Sequence, residues 1–105
     1  MKAFLTRVEL YGSPTSADYI KLHEEMVKRN FSRTIAGDDG KTYHLPTAEY
    51  SSRSTTLDAD GVRALAVEAA RATGYVPWPG TSTSKDCAVL TAEWTILRWS
   101  GLKSV

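Results

Sequence analysis

The sequence predicts an α+β domain in which one four-stranded antiparallel sheet carries two helices on one face. Two amphipathic helical segments are separated and flanked by strand-like segments in the order β-α-β-β-α-β, and an Asp-Gly turn joins the two middle strands. Two helices separated by a pair of strands do not suit a doubly wound parallel sheet. The second face of the sheet is therefore expected to stay open.

The first strand is predicted at residues 3–11, where the side chains alternate between two faces. One face is suited to a core and carries Phe4, Thr6, Val8 and Leu10. The other face mixes charged and apolar side chains and carries Leu5, Arg7, Glu9 and Tyr11. A partly covered sheet face has this composition.

The first helix is predicted at residues 17–29, after a Gly-Ser-Pro-Thr-Ser segment that supplies capping hydroxyls. Tyr19, Leu22 and Met26 recur at helical spacing on its apolar side. Residues 31–36 and 41–45 are predicted to form a hairpin around the Gly-Asp-Asp-Gly turn. Pro46 interrupts this strand, and residues 47–55 continue it as an edge strand or a bulged strand.

The second helix is predicted to follow a cap at Thr56 or Asp58 and to end at Gly74. Its buried stripe is rich in alanine, which predicts close approach to the sheet. Residues 75–85 are predicted to be a loop, and residues 87–99 the last strand. One side of that strand carries Ala88, Leu90, Ala92, Trp94 and Ile96.

Composition limits the functional classes. The 105 residues suffice for one domain, 1–105, and 13 basic against 12 acidic residues leave a formal charge of +1, without a general basic field for nucleic acid. Cys87 is the single cysteine, and neither a secretory signal nor a membrane span is evident, so we expect a cytoplasmic protein.

Sequence fingerprints of metal and nucleotide enzymes are absent, so no cofactor and no metal site is expected. Asp38 and Asp39 could bind a divalent cation as paired carboxylates. The alternative is that two acids between glycines form a solvated turn. Cys87 has no histidine partner in the sequence pattern and is interpreted as a core residue.

The segment from Tyr19 through Met26 and Asn30-Phe31-Ser32 to Ile35-Ala36 resembles the GhoS endoribonuclease antitoxins. The resemblance continues through Asp39-Gly40, His44-Leu45-Pro46 and Tyr50 into Thr55-Thr56-Leu57. It implies a ferredoxin-like fold, similar to that of the Cas2 nucleases. It also implies an antitoxin of a type V toxin–antitoxin system, which cleaves the messenger RNA of its toxin. The Cas2-like pattern places an aspartate late in the first strand, where this chain has Leu10 with Glu9 beside it.

RNA cleavage requires a base, a proton donor and positive charge near the phosphate. Glu9 or His44 could be the catalytic base, and Arg7, Arg33 and Arg53 could bind the phosphates of RNA. The structural alternative is that Arg7 and Glu9 neutralise each other across neighbouring strands, and that His44 is structural. His23 lies near the apolar stripe of the first helix and is interpreted as a packing residue.

Aromatic side chains could stack on RNA bases if they are exposed: Tyr11, Tyr43, Tyr50, Trp78, Trp94 and Trp99. Trp94 is instead expected in the core, and Trp78 is expected to be a loop anchor or a dimer contact. Two other functions remain open. One is a non-catalytic module that binds RNA or protein through the open face, and the other is a homodimer without catalysis.

Overall fold

The computed structural model describes residues 1–105 and contains two helices and six strands. In chain order these are β1 (Lys2–Leu10), α1 (Ser16–Lys28), β2 (Thr34–Ala36), β3 (Thr42–His44), β4 (Glu49–Ser54), α2 (Ala59–Ala72), β5 (Tyr75–Pro77) and β6 (Lys85–Trp94). Four strands form one sheet in the order β4-β1-β6-β5, and β2 pairs with β3 in a separate sheet. The prediction of an α+β chain with two helices and a four-stranded sheet is confirmed.

The main sheet is mixed, which differs from the fully antiparallel sheet that was predicted. β1 is antiparallel to both of its neighbours, β4 and β6, whereas β5 is parallel to β6. The sequence analysis placed residues 75–85 in a loop because of their proline and glycine content. Their first three residues nevertheless pair with β6, and the Trp78 N–H donates to the Cys87 carbonyl at 2.9 Å. The buried ring of Tyr75 anchors this short strand in the core.

The hairpin predicted in the middle of the chain is present but separates from the main sheet. β2 and β3 pair around the turn, where Gly40 takes a φ of +79° that glycine adopts without strain. Residues 103–105 cover the outer edge of β3, since the His44 N–H donates to the Lys103 carbonyl and the Val105 N–H to the Thr42 carbonyl.

One bridge links the hairpin segment to the main sheet. Ser32, just before β2, exchanges two backbone hydrogen bonds with Ser51 of β4. Beyond that bridge, the Ser51 hydroxyl donates to the Thr34 carbonyl at 2.6 Å, while the Glu49 N–H turns back to the Pro46 carbonyl. The segment predicted as the second strand therefore pairs with two sheets: Ser32 bonds to β4 of the main sheet, and Thr34–Ala36 pair with β3. Pro46 lies between β3 and β4, where the chain changes direction.

Local signals place both helices as the sequence predicts. α1 begins with a capping box in which Thr15 accepts from the Asp18 N–H and the Asp18 carboxylate accepts from the Thr15 N–H. Asp58 caps α2 by accepting from the Gly61 N–H at 2.9 Å. After α2, Gly74 has a φ of +90° and reverses the chain into β5.

Both helices pack on the same face of the main sheet. Their buried side chains share a cluster with Phe4, Val8 and Leu10 of β1 and with Cys87, which is confirmed as a core residue. The helix members of the cluster are Leu22, Met26, Val62, Ala66, Ala69 and Ala70. Fully buried alanines allow α2 to approach the sheet closely. Neither α1 nor α2 has the length and apolar character of a membrane-crossing helix.

Candidate functional site

The odd-numbered residues of β1 lie on the face of the sheet that the helices leave open, and Arg7 and Glu9 are among them. The Arg7 guanidinium donates to Glu9 Oε2 through two nitrogens, at 3.0 and 3.2 Å. Residues i and i+2 of a strand share a face, so this pair forms along β1 and not across neighbouring strands. Half of each side chain is exposed, and Glu9 neutralises Arg7.

The other two predicted RNA-binding arginines lie elsewhere and have no carboxylate partner. Arg53 of β4 pairs with Ala3 of β1, and Ala3 lies four residues before Arg7 on the same strand. Arg33 lies between Ser32 and Thr34 and is exposed. No hydrogen bond or ion pair involves the side chain of either Arg33 or Arg53, so both guanidinium groups are available to an anion.

The two predicted catalytic residues are not brought together. Glu9 lies on β1 of the main sheet, and His44 lies on β3 of the hairpin, opposite Thr34. The His44 side chain is exposed and forms no hydrogen bond. Their assignment as catalytic residues stays a prediction.

Of the two histidines, His23 is the one whose side chain contacts other side chains closely. Its Nδ1 lies 2.6 Å from the hydroxyl oxygen of Tyr50, whose side chain is completely buried. Its ring also contacts the ring of Tyr50 at a centroid distance of 5.7 Å and that of Tyr19 at 6.3 Å. Helical spacing places Tyr19 and His23 one turn apart on α1, so the ring of His23 is held between the helix and β4.

Burial and charge fix the protonation of this pair. Burial lowers the pKa of His23, and the positive charge of Arg33 lowers that pKa further. Burial raises the pKa of Tyr50, so its phenol stays protonated at neutral pH. His23 is the only hydrogen-bond partner of the Tyr50 hydroxyl, so we assign the phenol as the donor to Nδ1, because the reverse direction would leave the buried phenolic proton unpaired. In this assignment the neutral imidazole carries its proton on Nε2.

His23 and Arg33 line one cavity of about 360 Å³ beside the first turn of α1. Its other walls include Thr15, Ser16 and Thr47, and no carboxylate lines it. Arg33 is thus the one ionic side chain in a cavity that is also lined by a histidine and by four hydroxyl-bearing residues, Thr15, Ser16, Tyr19 and Thr47. Such a lining favours an anionic ligand, and the N-terminal end of a helix dipole favours it too.

The Asp38-Asp39 pair belongs to the hairpin turn. The Asp39 carboxylate accepts from the Lys41 N–H at 3.0 Å and from the Tyr43 hydroxyl at 2.5 Å. These bonds lower the pKa of Asp39, with the Tyr43 hydroxyl as the larger cause. No group of three or more His, Cys, Asp or Glu side chains is placed to hold a metal ion.

Exposed aromatic residues lie at one end of the open face. Tyr11 and Trp78 are 44% and 70% exposed, and both line a shallow cavity beside β5. Trp94 lies on the open face at the other end, opposite Ala3 and only partly exposed, which corrects its expected place in the core. The alternation of β6 puts it there, since Cys87 faces the helices and odd and even positions point to opposite faces.

The sequence analysis missed His23 as a candidate because a histidine beside an apolar stripe is usually a packing residue. The signal that could have found it is the pair of tyrosines, Tyr19 one turn before it on the helix and Tyr50 on a strand. Only the fold places Tyr50 and Arg33 against it. Arg33 was predicted to bind the phosphates of RNA, which stays a prediction, and its place beside His23 was not predicted.

Comparison of the chain with protein-family models, with curated proteins and with solved structures finds no match.

Proposed function

We propose that this chain is a small endoribonuclease of the GhoS type, an antitoxin that cleaves the messenger RNA of its toxin, with His23 and Arg33 at its active site. The observation that carries the proposal is the cavity in which a neutral histidine, fixed by Tyr50, lies beside an unpaired arginine and which no carboxylate lines. This arrangement is suited to a phosphodiester.

In the proposed reaction, Arg33 and the Nε2–H of His23 donate to the non-bridging oxygens of a phosphodiester. The 2′-hydroxyl attacks phosphorus and loses its proton to water, and the bond to the 5′-oxygen breaks as that oxygen takes a proton from water. The products are a 2′,3′-cyclic phosphate and a 5′-hydroxyl end. Donors that are already oriented stabilise the added charge of the transition state, which is the largest contribution in many such sites.

The strand order supports a ferredoxin-like assignment for the fold. β4 and β6 are both antiparallel to β1 and are therefore parallel to each other, with α2 connecting them across β1. The Ser32 bridge to β4 corresponds to the remaining edge strand, which α1 connects to β1. In this assignment β5 and the hairpin are additions to a β-α-β-β-α-β core. We propose a cytoplasmic location, where messenger RNA is the substrate.

An RNA-cleavage assay with purified protein tests the proposal, with and without EDTA, using the transcript of a small membrane toxin as substrate. We expect wild type to cut the RNA, and His23→Asn and Arg33→Gln to lower the rate at least about tenfold. The matched control for Arg33→Gln is Arg71→Gln, which makes the same chemical change on α2. Glu9→Gln and His44→Asn also test the sequence-based assignment.

Retained cleavage in His23→Asn and Arg33→Gln would contradict the active site. Loss of cleavage in Glu9→Gln or His44→Asn alone would instead support the residues predicted from sequence. Absence of cleavage by the wild type on any RNA would contradict the enzymatic function. Circular dichroism establishes that each variant is folded.

A second candidate function, a homodimer or protein-binding module, is favoured by exposed apolar side chains on and just after β6. Leu90 lies on the open side of β6 and is 69% exposed, and Ile96, two residues after the strand, is 72% exposed. Sedimentation at increasing protein concentration tests it. A dimer that Leu90→Asp dissociates would support this function, and a monomer in both proteins would contradict the homodimer.

A further inference from the structure

A cleft of about 340 Å³ lies where the hairpin separates from the main sheet. On one side is the outer edge of β4 at Ser52 and Arg53, and on the other is the segment from Ser32 to Ala36. Trp94 and Asn30 close its ends. The cleft exists because β4 and β2 stop pairing after the bridge between Ser32 and Ser51.

Two buried polar atoms lack a hydrogen-bond partner in this protein, and both belong to residues of this cleft. They are Trp94 Nε1 and Ser52 Oγ. An indole N–H can only donate, so the unpaired Trp94 needs an acceptor. Leaving such a group buried and unpaired costs about 1–3 kcal/mol, which a bound acceptor would recover.

Further donors face the same space. Arg53 is exposed, and neither an ion pair nor a hydrogen bond occupies its guanidinium. Since Ser51 directs its backbone N–H and C=O outward to Ser32, Arg53, two residues along, also directs its N–H away from β1. No carboxylate lines the cleft, so its one charge is positive.

We propose that this cleft binds a phosphate group, held by Arg53 and the Trp94 indole N–H, which lie on the same open face because both residues pair with Ala3. The Ser52 hydroxyl takes no part, since Ser52 pairs with Phe4 and its side chain points to the opposite face. The inference rests on the proposed function, in which that phosphate belongs to the RNA strand whose scissile bond lies at His23. Ser32-Arg33-Thr34 connects the two places. Ser32 and Thr34 line the cleft, while Arg33 between them lines the cavity of His23. A single strand lying along this segment would contact both sites.

Binding of a non-cleavable oligonucleotide, in which every 2′-hydroxyl is methylated, tests the proposal by fluorescence anisotropy. We expect Trp94→Phe and Arg53→Gln each to weaken binding about tenfold, the equivalent of one lost hydrogen bond to a charged group. Ser52→Ala, on the opposite face of β4, should leave it unchanged. Arg71→Gln is the matched control, since it removes the same charge from an exposed, unpaired arginine on α2. A second experiment titrates the protein with inorganic phosphate and compares its affinity with that of the oligonucleotide.

Unchanged oligonucleotide affinity in both Trp94→Phe and Arg53→Gln would overturn the proposal, even if the wild type cleaves RNA. Weakened binding in these variants, with the Arg71→Gln control unchanged, would support the cleft even if no cleavage is found and the nuclease function fails. Binding of inorganic phosphate more tightly than the oligonucleotide would overturn the assignment to RNA.

Discussion

The hydroxyl of Tyr50 and Nδ1 of His23 lie 2.6 Å apart, and this hydrogen bond joins the edge of the sheet to the helix above it. Tyr50 belongs to β4 and is completely buried, whereas His23 belongs to α1 and is half-buried. The phenol has no other polar partner. One bond therefore satisfies a buried hydroxyl and also fixes the orientation and the tautomer of an imidazole that faces a cavity.

Removal of the phenolic hydroxyl should destabilise the protein. Tyr50→Phe keeps the ring but leaves His23 Nδ1 without its donor, so we expect the free energy of unfolding to fall by about 1–2 kcal/mol. Tyr11→Phe is the matched control, because the Tyr11 hydroxyl forms no hydrogen bond and its side chain is 44% exposed. Urea denaturation measures both. Equal losses in the two variants would show that the Tyr50–His23 bond contributes nothing to stability.

Stability should depend on pH through His23. Burial and the Arg33 charge hold the pKa of His23 below its ordinary 6.5 in the folded protein, so the unfolded chain binds more protons near that pH. The free energy of unfolding should therefore decrease as the pH falls from about 7.5 to about 5.5. His23→Asn should lose most of this dependence, and His44→Asn should keep it. Urea midpoints across this range measure the effect, and an unchanged slope in His23→Asn would refute the attribution.

The ion pair between Arg7 and Glu9 should contribute little to stability. Both side chains are about half exposed, with 51% and 45% of their surface accessible, and water screens such a pair. We expect a coupling energy below about 1 kcal/mol in a double-mutant cycle of Arg7→Ala and Glu9→Ala. Urea unfolding of the four proteins at low and high salt measures it. A larger, salt-insensitive coupling would indicate that the open face is covered in solution.

Close packing of α2 against the sheet predicts a strong positional effect on its alanines. Ala66 is completely buried and Ala64 is exposed on the same helix. Ala66→Leu should lower the free energy of unfolding by about 1–3 kcal/mol because the added atoms overpack the core. Ala64→Leu, which makes the same change toward solvent, should alter stability by less than about 0.5 kcal/mol. Thermal or urea unfolding distinguishes them, and similar effects at both positions would contradict the packing.

The sequence predicted the elements that depend on local signals. The capping residues, the apolar stripes at Leu22 and Met26, and the alternation along β1 place two helices and β1 correctly. The last strand was predicted at residues 87–99, whereas β6 spans Lys85–Trp94. It could not predict β5, because a three-residue strand depends on its pairing with β6 and on the burial of Tyr75. Nor could it show that the hairpin separates from the main sheet. At that point the Glu49 N–H bonds to the Pro46 carbonyl, and the Ser51 hydroxyl bonds to the Thr34 carbonyl, in place of further pairing between β4 and β2.

The site was predictable only in part, because it is assembled from distant segments. Arg33 and Arg53 are unpaired, in keeping with a role in anion binding, whereas Arg7 is neutralised by Glu9. His23 acquires its character from Tyr50, 27 residues further along the chain. No periodicity or motif indicates that contact, so the cavity shared by His23 and Arg33 could be found only from the fold.

Pro77 has a consequence for how molecules of this protein can meet. The Trp78 N–H points toward β6, so the preceding backbone position points away from it, and that position is a proline with no N–H to give. A strand from another molecule that paired with this edge of β5 would have no N–H donor at Pro77. Lateral growth of the sheet into a continuous multi-chain ribbon is hindered at β5, which leaves the outer edge of β4 at Arg53 as the margin still open to an extended chain.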